Sequence, residues 1–294
     1  MSHAAATRTL ARELWSMDPL MLEEGAAAFT AQQFAETEGA VPVLIAAHNE
    51  AQDLPATLVS LAGSAMNVRP YVVDNNSTDR TGDIARKMGA IHISEPRLGK
   101  IRAIKTGLEA IFEDGSNQTV LFTDADTIVG GQWAEVMTRR CIGKVGATGA
   151  FATGMVSFVE GQNRRTDITR NVFAAAAQYK RRLREEPPAA RGANMAIRFN
   201  PALQEAIMAV DDTVFPGADC AMRDAAMSAG AEGIFIPDGK ANVASRGDRF
   251  PSITAFLLSS LKIIERKDFY DPALTAGMTP YQRLEPLEQP TASL

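Results

Sequence analysis

The chain has 294 residues, 46% hydrophobic and 22% charged, enough for the core of one large α/β domain or two modest ones. A net charge of -5 argues against a surface built to coat nucleic acid, and with only His3, His48 and His92 present a His-rich metal site is excluded. Cys141 and Cys220 stand far apart in no metal-ligand spacing, which fits a reduced setting and thiols without a catalytic role.

Residues 1–39, rich in Ala, Glu and Leu, predict a helical arm of one or two helices broken near Asp18-Pro19. It carries no chemistry of its own and is the expected seat of any homodimer contact. Arg8, Arg12 and Glu13 interrupt the N-terminus where a secretory signal needs an apolar run. No stretch approaches the roughly 20 apolar residues of a spanning helix. The expected location is cytoplasmic, or peripheral to the inner face of a membrane.

From Val41 onward, short apolar runs alternate with amphipathic segments, the pattern of βα units around a parallel sheet. The runs Pro42–Ala47, Tyr71–Val73, Ala90–Ile93 and Thr119–Thr123 predict buried strands. Helices are predicted between and after them at about 51–63, 79–88, 98–112 and 132–142. Ser77-Thr78-Asp79 supplies capping oxygens at the start of the second, and Gly89 ends it. After Gly149 a long, arginine-rich helix is predicted over Asn163–Arg184, then a break at Glu185-Glu186-Pro187-Pro188. A strand over Asn194–Phe199, a helix over Asp219–Ala229, a strand-like Phe235–Asn242 and a final helix over 251–266 follow. The sequence holds no internal repeat.

Ligands of open parallel sheets bind beyond the carboxyl ends of the strands. The rim collects Ala46 to Glu50 after the first strand and Asp74-Asn75-Asn76-Ser77 after the second. Glu95-Pro96-Arg97 with Gly99-Lys100 follows the third, and Asp124-Ala125-Asp126 the fourth. No glycine-rich fingerprint follows the first strand and there is no P-loop, so dinucleotide and ATP chemistry are not expected. In an extended segment Asp124 and Asp126 face one way, and two carboxylates there suit Mg²⁺ or Mn²⁺ completed by phosphate oxygens. Asp-X-Asp alone also arises as a turn cap; its place behind Val120-Leu121-Phe122-Thr123 favours the metal reading.

Val43-Leu44-Ile45-Ala46-Ala47-His48-Asn49-Glu50 resembles the opening strand of family 2 glycosyltransferases, and Val72-Val73-Asp74-Asn75-Asn76-Ser77-Thr78-Asp79 their second strand and Asp-rich turn. Gly99-Lys100 with Ala103, Ile104 and Gly107 resembles their Gly-Lys helix, and Asp124-Ala125-Asp126 their DXD motif. Gly192-Ala193-Asn194-Met195-Ala196-Ile197-Arg198 and Gly217-Ala218-Asp219 resemble their acceptor-side segments. The likeness runs in order over roughly 41–245. It implies a GT-A fold: an α/β, Rossmann-like, mostly parallel sheet flanked by helices. The implied domain spans 40–250, with a nucleotide-binding half at 40–130 and an acceptor half at 131–250, preceded by the arm and followed by a helix and tail at 251–294.

The resemblance also implies roles. Ala46, Glu50, Asp74 and Asn75 line the pocket for base and ribose, and Lys100 approaches base or phosphates. Asp124 contacts ribose or sugar and shares the metal with Asp126, its direct ligand, Ala125 lying between them. Asp219 is the general base in an inverting transfer from a nucleotide-sugar, UDP-linked, to a carbohydrate, lipid-linked or small-molecule acceptor. His48 stands where many relatives carry Tyr, either stacking on the base or lying partly buried in a turn. Asn75 replaces a frequent Asp, and Ala218 replaces an acidic neighbour of the base. Without Gln-X-X-Arg-Trp, processive polymer synthesis is not expected. Arg246 and Arg249 are placed to reach the diphosphate from a loop, with no late histidine available as an extra metal ligand. The arginines at 164, 165, 170, 181, 182 and 184 form a solvated helix face or contact an anionic acceptor or anionic lipid. A nucleotidyltransferase lacks support, because Ala46 to Glu50 supplies no glycine-rich, arginine-containing loop. A non-catalytic nucleotide-sugar-binding protein of the same fold is the other alternative.

Overall fold

The computed structural model describes residues 2–35, 38–115, 119–142, 149–159, 186–212 and 217–246, together with 172, 175, 176, 178–181, 183 and 184. The continuous apolar run Val41–Ala47 forms β1, whose neighbours on both sides are parallel strands, β2 (Val68–Asp74) and β4 (Thr119–Phe122). A strand without alternation needs both faces covered, and the central position supplies that. β3 (Ile91–Ser94) pairs with β2 at the edge, so it is only part-buried, with Ser94 exposed, and not the buried strand expected of Ala90–Ile93. With β6 (Ala150–Gly154), β8 (Met195–Arg198) and β9 (Glu232–Ile236) the sheet has seven strands in the order β3-β2-β1-β4-β8-β6-β9. β8 is antiparallel to β4 and β6, and the other pairings are parallel. A second sheet, β5-β10-β7, joins Thr127–Val129, Val243–Arg246 and Val156–Val159.

Helices cover both faces. α3 (Leu54–Ala62), α4 (Thr81–Lys87) and α6 (Trp133–Ile142) set Leu54, Leu58, Leu61, Ile84, Trp133 and Met137 against one. α5 (Lys100–Glu113), α7 (Pro201–Met208) and α8 (Ala218–Ser228) set Ile104, Leu108, Ile111, Leu203, Ile207 and Met222 against the other. Gly107 lets α5 lie close to the sheet, since a Cβ there would stand 2.8 Å from Leu44 Cδ1 and Val73 Cγ2. Gly89, at φ +82, follows the last turn of α4 in the left-handed conformation. The arm is two helices, α1 (His3–Ser16) and α2 (Pro19–Ala35), broken at Asp18-Pro19 as expected. Ala11, Leu14 and Leu22 pack on Ile128, Val159 and Ala244 of the small sheet.

Phe235–Asn242, expected as one strand, ends β9, passes through a 3₁₀ turn at Gly239–Ala241 and leads into β10 in the other sheet. Of the helix expected over 163–184, the described positions 172, 175, 176, 178–181 and 183 are helical. Arg164, Arg165, Arg170, Arg182, Arg249 and the helix expected at 251–266 lie outside the described residues. No helix among the described residues is long and apolar enough to cross a membrane.

Candidate active site

The sheet register sets the rim. Ala47 pairs with Asp74 and Asp74 with Ser94, which aligns the ends of β1, β2 and β3. Because β8 runs antiparallel, Met195 lies opposite Phe122, and the segment entering β8 meets the segment leaving β4. Thr123 Oγ1 ties them by donating to the Ala193 carbonyl at 3.1 Å.

The first two loops are laced together by their own polar groups. Asn49, at φ +55, donates its backbone N–H to Ser77 Oγ at 3.0 Å and accepts at Oδ1 from Thr78 N at 2.8 Å. Glu50 N donates to Thr81 Oγ1 at 2.8 Å and Ala51 N to Asp79 Oδ2 at 3.1 Å. His48 Nδ1 lies 2.7 Å from the Asn75 carbonyl, which can only accept, so Nδ1 carries the proton and Nε2 accepts from Asn49 Nδ2 at 3.2 Å. His48 is thus part-buried and hydrogen-bonded within the bend that follows β1. Asp74 Oδ1 accepts from Ser77 N at 3.0 Å, and Oδ2 lies 3.6 Å from His92 Nε2.

Asn75 differs from expectation. It is 1% exposed, accepts at Oδ1 from Gly99 N at 2.8 Å and donates through Nδ2 to the Arg97 carbonyl at 2.8 Å. The amide ties the β3–α5 loop, where the sequence suggested a pocket-lining acceptor for the base. An amide saturated by backbone partners has little left for a ligand.

Lys100 opens α5 and donates from Nζ to Asp124 Oδ1 at 2.7 Å, with both side chains about a third exposed or less. Asp124 and Asp126 lie in the loop and turn between β4 and β5, not on an extended segment, so the same-side argument does not apply. Asp124 is half-buried and lines a cleft shared with Ala46, Lys100, Thr123, Gly192 and Asp219. Asp126 is 7% exposed and is not among the described residues of that lining. The Ala125 methyl is buried, and its carbonyl accepts from Thr57 Oγ1 at 2.7 Å, which fixes the turn from below. Asp219, in the first turn of α8, accepts at Oδ2 from Gly192 N at 3.3 Å and at Oδ1 from Cys220 N at 2.9 Å. Gly192 lies close to both acids: its N–H bonds Asp219, and a Cβ there would stand 3.3 Å from Asp124 Oδ1 and 3.1 Å from Lys100 Nζ.

Arg246 also departs from expectation. It ends β10 rather than riding a loop, bonds Asp53 Oδ1 through Nη1 at 2.5 Å, and places its guanidinium 5.5 Å from the Trp15 ring centre. Its backbone N–H donates to the Asp126 carbonyl at 3.4 Å. Asp53 and Trp15 were not singled out by sequence; they lie 193 and 231 positions from Arg246 in the chain, and no local spacing joins them. Burial pushes the Cys141 thiol up to about 12, in keeping with an inert thiol.

The pattern of glycosyl transferase family 2 matches residues 43–202, more than half of the chain. The chain belongs to that family. Among curated relatives, this family 2 glycosyltransferase is 44% identical over 62 residues to a 4,4'-diaponeurosporenoate glycosyltransferase of Staphylococcus haemolyticus, covering 21% of this chain and 16% of that protein. It is 38% identical over 87 residues to an uncharacterized glycosyltransferase of Mycobacterium tuberculosis, covering 30% of this chain and 37% of that one. These matches span less than two fifths of either relative's length. Among solved structures, glucosyl-3-phosphoglycerate synthase from Mycobacterium tuberculosis, in complex with Mn²⁺, UDP and phosphoglyceric acid, superposes with a TM-score of 0.51 at 18% identity. That match covers 81% of this chain and 80% of the synthase. A mycobacterial protein superposes equally, at 0.51 and 19% identity, over 80% of each chain. The fold is the GT-A fold.

Proposed function

We propose that this chain is an inverting, non-processive transferase that moves a sugar from a nucleotide-sugar, UDP-linked, to an acceptor hydroxyl. The observation that carries this reading is one cleft lined by Asp124, Lys100 and Asp219, with the side-chain-free Gly192 close to Asp124 and bonded through its N–H to Asp219. The UDP and Mn²⁺ bound by the structural neighbour support the choice of donor and ion class.

In chemical type, though not yet in shared geometry, the two carboxylates of the turn after β4, Asp124 and Asp126, suit a hard divalent ion. No cluster of three or more His, Cys, Asp or Glu side chains able to hold a metal occurs among the described residues. Mg²⁺ and Mn²⁺ need no such cage when substrate phosphates complete their shell. Asp126 and Asp124 would hold the ion, which when bound neutralises charge on the departing phosphate oxygen. The chain's own groups do the rest. The laced β1 and β2 loops fix Ala46, Glu50 and Asp74 at the edge where base and ribose would lie. Lys100 adds positive charge beside Asp124. Asp219, oriented by the Gly192 N–H, takes the acceptor's hydroxyl proton as its oxygen bonds to the anomeric carbon. The bond from that carbon to the diphosphate oxygen breaks, its electron pair leaves with UDP, and configuration inverts.

The test is transfer and binding by Asp219→Asn and Asp126→Ala with a panel of UDP-sugars and Mn²⁺. Asp219→Asn should keep UDP binding and lose about a hundredfold or more in turnover, the usual worth of a positioned base. Asp126→Ala should weaken Mn²⁺ binding in the presence of UDP. Wild-type turnover in the first variant, or wild-type Mn²⁺ affinity in the second, would remove those assignments.

A further inference from the structure

The helical stretch before Pro187 turns a polar side to the protein and an apolar side to solvent. Among its described positions, Val172, Ala176, Tyr179 and Leu183 recur at helical spacing and all are exposed, the three large ones at 61%, 64% and 68%. The inward side holds Gln178, 5% exposed, which donates to the Ala189 carbonyl and accepts from the Ala189 N–H, both at 3.1 Å. Arg181, half-buried, donates to the Pro187 carbonyl at 3.0 Å and lies 3.6 Å from Glu186 Oε2. Lys180 is exposed and borders the apolar stripe, between Ala176 one turn before it and Leu183 one turn after. Arg184, just past the helical positions, is also exposed and stands 3.8 Å from Glu186 Oε1. Over 163–184 the sequence holds six arginines and Lys180 against Asp167 alone, before Glu185 and Glu186 close it, in a chain of net charge -5.

We propose that this face docks on an anionic lipid surface, where the helix lies flat with Val172, Tyr179 and Leu183 at the acyl boundary and Lys180 and Arg184 among the headgroups. An apolar stripe shown to water costs free energy that burial removes, and a lipid surface buries it without needing a shaped partner. The bordering cations select the partner. They match lipid phosphates, and a purely apolar groove would leave them desolvated. Long basic side chains reach headgroups while their stems lie along apolar surface, and a tyrosine ring suits the same boundary. No helix among the described residues is long and apolar enough to cross a membrane, so the contact lies at the surface. The bonds of Gln178 and Arg181 to the stretch 186–189 hold the helix with its stripe outward. From Ala189 a short run of chain leads to Gly192, whose N–H bonds Asp219, so the docking face adjoins the segment that enters the cleft.

The experiment mixes the full chain with vesicles of phosphatidylcholine alone, or with about one third phosphatidylglycerol, and reads bound protein by flotation. Wild type should bind the anionic vesicles about tenfold or more tightly than the neutral ones, and high salt should erase that preference. Tyr179→Ser combined with Leu183→Ser should weaken binding to the anionic vesicles about tenfold. Lys180→Gln combined with Arg184→Gln should remove most of the preference for them. These positions are exposed, so both variants should melt as wild type does. Absence of wild-type binding to anionic vesicles overturns the proposal, and so does binding that neither variant weakens. A wild-type dimer in sedimentation that the Tyr179, Leu183 variant separates would also overturn it, by giving the face to a second copy of the chain. Docking does not depend on the transferase reading, which UDP binding measured without vesicles tests by itself.

Discussion

Glu95 shows how much one buried carboxylate does for the loop that delivers Lys100. It is 3% exposed, accepts at Oε1 from Arg97 N at 2.9 Å and Arg97 Nε at 3.0 Å, and at Oε2 from Thr106 Oγ1 at 2.7 Å. The Arg97 bond holds its pKa down at about 2 from the ordinary 4.5, more than burial raises it. A folded pKa below the unfolded one means stability that is present above about 4.5 and lost as pH falls toward about 2. Glu95→Gln should therefore melt below wild type at neutral pH. The gap in Tm should narrow through that window and vanish at its acid end; a gap independent of pH would show that the charge is not what Glu95 contributes. At this scale the expectation that Asp124, Lys100 and Asp219 collect at one rim is met, since all three line one cleft. The sequence was not legible for Asn75, whose amide can donate and accept in several directions. Only the fold shows that Gly99 and Arg97 are its partners.

Helix α5 links the sheet to the cleft, and its packing depends on one missing side chain. Ile101, Ile104, Leu108 and Ile111 recur at helical spacing and seat it on Leu44, Tyr71 and Val120. Gly107 sits on the same face, and the methyl of Gly107→Ala would press on Leu44 and Val73, both fixed in central strands. Overpacking of this kind costs about 1–3 kcal/mol. Urea denaturation should show a loss in that range with the m-value unchanged, and because α5 begins at Lys100 the variant should also bind UDP more weakly. Neutral stability would mean the helix can back away freely. The periodicity that made α5 legible is absent from β5, β6, β7 and β10, which are three to five residues long and rich in Ala, Thr, Ser and Gly. Runs this short carry no period, and β10 is defined by its partners, Thr127–Val129 and Val156–Val159, from distant parts of the chain.

The arm, read from sequence as an appendage without chemistry, is joined to the turn after β4 through a chain of contacts. Glu23, 1% exposed in α2, receives Arg80 at 2.9 Å and Lys87 at 3.0 Å and so pins the arm to α4. α1 lies across the small sheet, and Trp15 carries the guanidinium of Arg246, which bonds Asp53 at the start of α3. The same arginine's backbone holds the carbonyl of Asp126. A displacement at Trp15 therefore reaches the turn assigned above to the metal through one residue. Trp15→Ala should cost about 2 kcal/mol from lost apolar cover and the lost cation–π contact. It should also weaken Mn²⁺ binding severalfold in the UDP-loaded protein, while UDP alone binds as before, because Asp74 and the β1–β2 lacing are untouched. Thermal melts give the first quantity and Mn²⁺ titration by electron paramagnetic resonance the second. If the melting temperature falls while Mn²⁺ affinity stays put, the arm braces the fold without setting the site, and Arg246 does not transmit its position to Asp126.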